Sequence, residues 1–420
     1  MSARISARLS AGRGGTARTS AALLAAALLV TSCAGQDDDT SAPATSPSAT
    51  PHGYVEGARE SAEQQSRLLL NDPGTGDTRV LDLITGKTHE VSRTTGTTEL
   101  TTDGRFGYLH TANGTHVLDG GTWTVDHGDH VHYYRAAIRD VGDFPAGSGA
   151  QVRSDAAVTA VTGEDGRTRL YRRADLEKGR LGTPSTLPGT HAAAVVPYAE
   201  HLLALTDDGQ GPAGLAVYDR EGRRVASPDA RCEDPRGDAV TRRGVVLGCA
   251  DGALLVREDD GAFTAEKIPY GSDVPEKDRA TAFRHRAGSD TLTAPAGEKA
   301  VWVLDVTERT WTRVRTGPVV AANTAGEGSP LLVLQTDGSL HGYDIGTGKH
   351  LSRTKPLLTD AAKAAADGSG GPAIEVDRSR AYLNDPEGHR VYEIDYNDNL
   401  RIARTFDLDI EPALMVETGR

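Results

Sequence analysis

A short strand that ends in an acidic residue and runs into a turn recurs along almost the whole chain. That recurrence limits the possible folds more than any other feature. It reads RVLDLITGK at Asp82, HVLDGGTW at Asp119, AVYDREGR at Asp219 and LLVREDDG at Glu258. It returns as VWVLDVTER at Asp305, HGYDIGTGK at Asp344 and VYEIDYNDN at Asp395, with RLYRRADL near Arg173 as a degenerate copy. Successive copies lie 37 to 54 residues apart, about 45 on average, which is the period of a four-stranded propeller blade. Most copies follow another strand and a polar turn, as in HLLALTDDGQGPAGLAVYD, and Gly, Asn and Asp at the bends are hairpin chemistry. Extended amphipathic helical patterns are nearly absent; DAAKAAAD at 360–367 is at most a short loop helix. Eight units from about Ser66 to Leu408 predict an all-β, eight-bladed β-propeller with four-stranded blades. Seven is the alternative count, since the first and last strands are expected to share a blade. Two β-sandwich domains are the competing fold, and they leave one unbroken period unexplained.

The N-terminus is not part of that repeat. Arg4, Arg8, Arg13 and Arg18 precede the apolar run Ala21 to Val30, and Thr31-Ser32-Cys33 follows. A basic start, a short apolar core and small residues before a cleavage point describe a secretory signal, and the run is shorter than the roughly 20 apolar residues a bilayer span needs. Val30-Thr31-Ser32-Cys33 also resembles a bacterial lipobox, with residues 1–32 as a lipoprotein signal peptide and Cys33 as the lipid attachment point. Residues 33–53 are rich in Ser, Thr, Ala and Pro and hold no large apolar side chain, so they read as a disordered tether. Residues 54–420 are then the single folded domain, extracytoplasmic and held to the cell membrane only through the lipid.

Removing residues 1–32 takes four arginines from 46 basic residues, leaving 42 against 59 acids, a formal charge of −17. Such a chain repels nucleic acid and anionic lipid and suits a cation. Once Cys33 goes to lipid, Cys232 and Cys249 remain as an even pair in an oxidising compartment, and their spacing fits no CxxC zinc arrangement. A disulfide closing the loop between them is the structural reading.

The longest gap between repeats contains TWTVDHGDHVHYYRA, Thr122 to Ala136, with three of the thirteen histidines within six positions. Val131, Tyr133, Ala137 and Ile138 suit a strand. On a strand His130 and His132 share a face, about 7 Å apart at Cα, because side chains alternate with period two. Two such imidazoles can converge on one ion at Zn–N distances of about 2.0–2.1 Å. Gly128 lets the preceding turn fold back so that His127 supplies a third nitrogen. Asp129 completes the predicted set, with Asp126 as the alternative, or either carboxylate orients the rings. The bland alternative is a solvated blade edge whose histidines bond backbone carbonyls. His110 and His116 flank TANGT, read as a hairpin with Asn113-Gly114 as its turn, which sets Thr111 opposite His116 and His110 on the other face. They make a poor ligand pair.

Enzyme signatures are not found. There is no G-x-S-x-G elbow, and Gly86-Lys87-Thr88 lacks the upstream glycine of a phosphate loop. Arg236-Gly237-Asp238 spells an adhesion tripeptide of little weight.

These segments together resemble the AztD-type zinc metallochaperones, secreted propeller proteins associated with a zinc ABC transporter. The resemblance rests on HGYVEGARESAEQQSRLLL, WTVDHGDHVHYYRA, LGCADGALLV and RAYLNDPEGHRVYEIDY with RTFDLDIEPALMVETGR, and it covers most of residues 54–420. It implies a monomeric protein, not an enzyme, that holds Zn2+ outside the cytoplasm and passes it to the transporter's solute-binding protein. One departure stands out: the family carries a His-Gly-Glu element after the first cysteine, where this chain has Arg236-Gly237-Asp238. Three imidazoles and a carboxylate or water would suit stepwise ligand exchange with an incoming protein. Binding needs neutral imidazoles and weakens below about pH 6. The rival readings are a propeller enzyme, a hydrolase or quinone-dependent dehydrogenase, and a surface scaffold whose histidines bind no metal.

Overall fold

The repeat acids have a shared structural task in the computed structural model, which describes residues 53–127, 130–206, 209, 211–359, 361 and 370–420. Each closes the turn that follows its strand by accepting backbone N–H bonds, the Asx-turn chemistry that short acidic side chains favour. Asp82 Oδ1 accepts from the Thr85 N–H and hydroxyl, both at 2.9 Å. Asp344 Oδ1 takes the N–H groups of Gly346 and Thr347, Asp219 those of Glu221 and Arg223, and Asp305 those of Thr307 and Glu308. Asp395 takes the N–H of Asn397, and the longer Glu258 reaches the N–H of Gly261 at 2.6 Å. Asp119 differs. It accepts from Gly121 but spends its other contacts on a buried Arg105.

The strands between these turns are antiparallel and nearly all of the regular structure. Helix is sparse among the described residues, with Arg173–Leu176 as a single helical turn and a 3-10 turn at Glu276–Asp278, and no described helix is long and apolar enough to cross a membrane. Among the described residues ten strands precede residue 145: β1 (Arg59–Ser61), β2 (Arg67–Asn71), β3 (Thr78–Asp82), β4 (Thr88–Glu90), β5 (Thr97–Thr102), β6 (Phe106–Thr111), β7 (Thr115–Asp119), β8 (Thr122–Asp126), β9 (Val131–Arg135) and β10 (Arg139–Phe144). The first sheet runs Leu414–Thr418, β2, β3, β4, and the second β5, β6, β7, β10. Six more sheets follow in chain order, beginning at Gln151, Val196, Asp238, Thr291, Val319 and Ile374. The sixth has three strands, with an isolated bridge from Arg284 to Thr293 beside it. Strand Leu414–Thr418 pairs with β2 from Thr418↔Arg67 to Leu414↔Asn71, so both ends of the chain share one sheet.

Both faces of these sheets are buried, as alternation along β2 shows: Leu68 and Leu70 belong to one apolar cluster and Leu69 to another. Apolar clusters join each sheet to the next in order. Leu69 and Leu118 fall between the first and second, Tyr108 and Val161 between the second and third, Ala160 and Leu202 between the third and fourth. Leu203 with Leu247, Val246 with Leu304, Val303 with Val333 and Leu334 with Leu383 continue the series. Val391 and Leu70 bring the eighth sheet back onto the first. The architecture is therefore nearly all-β and propeller-like, with sheets packed face to face in a closed cycle.

Ion pairs also tie the sheets together, two of them between sheets that are not neighbours. Arg153 of the third sheet holds Asp238 of the fifth through two bonds of 2.5 and 2.8 Å. Arg284, beside the sixth, meets Glu375 of the eighth at 3.4 Å, and Arg420 meets the same carboxylate at 3.1 Å. Asp238 is thus committed inside the ring and Arg236 pairs with Asp234, so Arg236-Gly237-Asp238 does not present an adhesion loop. Cys232 and Cys249, both buried, are joined as a disulfide.

Two local expectations are corrected. The stretch around Val131 to Ile138 is not one strand: β9 ends at Arg135, the Ala136 N–H closes onto the Gly121 carbonyl at 2.7 Å, and β10 joins a different sheet. A Cβ at Gly121, where φ is +69°, would lie 2.7 Å from the Ala136 carbonyl oxygen, so this closure demands glycine. The β6–β7 turn also sits one residue earlier than Asn113-Gly114. Leu109, not Thr111, faces His116, and Thr111 closes the turn by bonding Gly114 in both directions. Gly114 instead allows close approach, since a Cβ there would lie 2.9 Å from the Phe144 carbonyl oxygen.

His110 and His116 do lie on opposite faces. His110 is buried between the hydroxyls of Thr101 and Thr115 at 2.9 and 3.1 Å. Burial, helped by the Arg153 charge, pushes its imidazole down to about 4. The folded chain then binds fewer protons than the unfolded one between that value and the ordinary 6.5 or so. Stability from neutral His110 is full above about pH 6.5 and is lost as pH falls toward 4, by about 2 kcal/mol at pH 5. Urea unfolding at pH 7 and pH 5 should show this slope, and His110→Gln should flatten it.

Candidate metal site

β8 and β9 form a hairpin inserted between β7 and β10 of the second sheet, which accounts for the longest gap between repeats. Its register is Thr122↔Arg135, Trp123↔Tyr134, Val125↔His132 and Asp126↔Val131, and the His127 N–H donates to the His130 carbonyl at 2.9 Å. Residues opposite one another, and residues two apart, share a face. His127, His130 and His132 therefore project from one side of the hairpin tip, as do Trp123, Val125 and Tyr134 further down.

The ring centroids lie 4.8 Å apart for His127–His130, 4.9 Å for His130–His132 and 5.4 Å for His127–His132. One nitrogen from each falls within 4.8 Å of the others. Ligands of a tetrahedral zinc sit about 3.3 Å apart at its usual bond length. Exposed imidazoles at a hairpin tip close that gap by small side-chain rotations, so the donor set fits the ion. His127 and His130 are exposed and His132 is partly covered, which leaves an approach from solvent.

The base of the hairpin is held far more firmly than its tip. Trp123 stacks on Tyr134 at 5.3 Å, and the buried Arg105 guanidinium lies 3.7 Å over the Trp123 ring. His132 extends the stack, 6.1 Å from Tyr134 with nearly parallel rings. Arg105 is fixed by Asp119, and Arg135 reaches Asp82 at 2.8 Å, so two repeat acids secure the insertion. Trp123 Nε1 donates to the Gly53 carbonyl and Thr124 Oγ1 to that of Gly419. Asp126 meets Arg242, from a turn of the fifth sheet, at 3.4 Å. Contacts to Gly419 and Arg242 lay the hairpin across one mouth of the ring.

A residue the sequence reading missed joins the cluster. β1 pairs with β9 through Arg59↔Arg135, Glu60↔Tyr134 and Ser61↔Tyr133, adding a third strand. Glu60 thereby reaches His132 Nδ1, which donates to its carboxylate at 2.6 Å. Nothing local marks Glu60, because its partner lies 72 residues away and β1 is only three residues long. Of the other predicted positions, Asp129 and Cys33 lie outside the described residues, as do residues 1–52, the segment 362–369 and Gly128. Arg236, which stands where the resembled family has histidine, turns to Asp234 and adds nothing to the cluster.

Fold and site together define a propeller-like, all-β protein with a trio of histidines on a hairpin anchored at its mouth. Comparison with known proteins gives likenesses in both sequence and fold. The zinc chaperone AztD of Citrobacter koseri is 22% identical over 256 residues, a match that spans 59% of this chain and 59% of that relative. Its crystal structure superposes with a TM-score of 0.69 at 17% identity, covering 84% of this chain and 98% of that one, and the apo form gives 0.68. Dihydro-heme d1 dehydrogenase NirN shares the fold more distantly, with a TM-score of 0.53 at 14% identity. No family model matches the chain. The chain is thus similar in sequence and in fold to the AztD-type zinc chaperones, as its quoted segments suggest.

Proposed function

We propose that this chain is an extracytoplasmic zinc chaperone built as an eight-bladed propeller. It holds Zn2+ on His127, His130 and His132 and passes the ion to the solute-binding protein of a zinc ABC transporter. One observation carries the reading: three imidazoles share one face of a hairpin whose base is locked into the ring. The similarity to AztD and the closed cycle of sheets support it. Asp129 or water supplies the fourth ligand, and Cys33 anchors the chain, a monomer, to the membrane by lipid.

In this reading Glu60 fixes the orientation of His132 and raises its basicity by accepting from Nδ1, so that Nε2 faces the ion. An exposed tip on a rigid base suits a carrier, because an incoming ligand reaches the ion without unfolding its support. The test is metal analysis of tag-free protein, followed by zinc-dependent capture of candidate solute-binding proteins. About one zinc per chain and transfer without turnover is the expected result. A chain that takes up no zinc, or hydrolyses a substrate with it, overturns the proposal. Glu60→Ala should weaken zinc binding about 10–100-fold, the usual effect of losing an outer hydrogen-bond partner, with an unchanged melting profile. Competition with a zinc indicator measures it.

A further inference from the structure

We propose that His341 and His350 form a second, separate site for a divalent transition ion, Cu2+ ahead of Zn2+, at the outer edge of the seventh sheet. His341 lies on strand Leu340–Tyr343 and His350 on the last strand of that sheet, His350–Arg353. The register shifts between Gly342 and Tyr343, so that Tyr343 faces His350 and His341 faces Arg353. This offset brings His341 Nδ1 within 3.1 Å of His350 Nε2. Two imidazole ligands of one ion at bond lengths near 2.0–2.1 Å sit about 3 Å apart. The pair is already spaced for chelation.

One ligand is fixed and the other open. His341 is 6% exposed and lies against Tyr343, 6.1 Å away with rings 18° from parallel. Tyr343 is itself held, since its hydroxyl donates to the Thr316 carbonyl at 2.8 Å and accepts from Gln335 at 2.9 Å. His350 is exposed and gives the ion its entry. His341 Nε2 has no hydrogen-bond partner among the described residues. Presenting the Nδ1 lone pair to an ion leaves the ring proton on that buried Nε2, a cost that the metal–nitrogen bond has to outweigh. Arg353, the nearby cation, is paired with Asp337 at 2.8 Å, which offsets its charge. Two neutral nitrogens with water in the remaining positions favour copper over zinc by the intrinsic order of these ions. The site shares no residue with the hairpin and does not depend on the zinc reading.

The experiment uses tag-free protein carrying His127→Ala, His130→Ala and His132→Ala, titrated with Cu2+ alone and read by electron paramagnetic resonance. The expected signal is one copper with two nitrogen couplings. Adding His350→Ala, at an exposed position, should remove it and weaken copper binding at least about tenfold, while thermal melting stays the same. Equal copper binding with and without His350 overturns the proposal. Zinc retained after His350→Ala is added to the triple variant counts against the hairpin site instead, and the copper comparison with and without His350 still decides this one.

Discussion

Replacing His130 and His132 together with alanine is expected to abolish zinc binding while leaving the fold intact. The double variant keeps one imidazole of three, and a lone imidazole with water holds zinc weakly. The loss should exceed about 100-fold, beyond the range for losing an outer partner. Stability should barely change, because His130 is exposed and the hairpin is secured by Trp123, Tyr134 and Arg135 rather than by its tip. Metal content after dialysis and equilibrium melting would be measured side by side. A folded double variant that retains its zinc would show that the ion binds elsewhere.

Ending the chain at residue 413 is expected to unfold it. The seven residues lost include the strand Leu414–Thr418, which completes the first sheet and is buried throughout. Burying Leu414, Met415 and Val416 contributes roughly 1.5–3 kcal/mol each. That sum, before any ladder hydrogen bonds, is comparable with the total stability of about 5–15 kcal/mol typical of a domain. The truncation also bares one edge of β2, whose five residues are all buried in the full chain. Circular dichroism and gel filtration should show a non-cooperative or aggregated product. A truncated chain with a sharp, little-shifted melting transition would mean that the ring does not need its last strand.

The ring was legible in the sequence because its repeat acids have a local cause. Each sits where a strand meets a turn and caps that turn, so the period survives even as the strands diverge. The shared face of the three histidines was legible for a similar reason, since period-two alternation and a short turn settle it without distant partners. What escaped depends on chain segments far apart. Glu60 reaches His132 only through pairing of β1 with β9. The end of β9 at Arg135 depends on Gly121 closing onto Ala136, and the apolar residues beyond it gave no sign of that break. The misplaced turn at Ala112 arose because Gly114, normally a turn signal, is needed for approach to Phe144.

The charged ties from Arg153 to Asp238 and from Arg284 and Arg420 to Glu375 lace the axis of the ring. A cargo ion entering there would meet fixed guanidinium groups and would have to part several matched pairs to get through. In the proposed role these ties favour loading and release at the hairpin over passage through the ring.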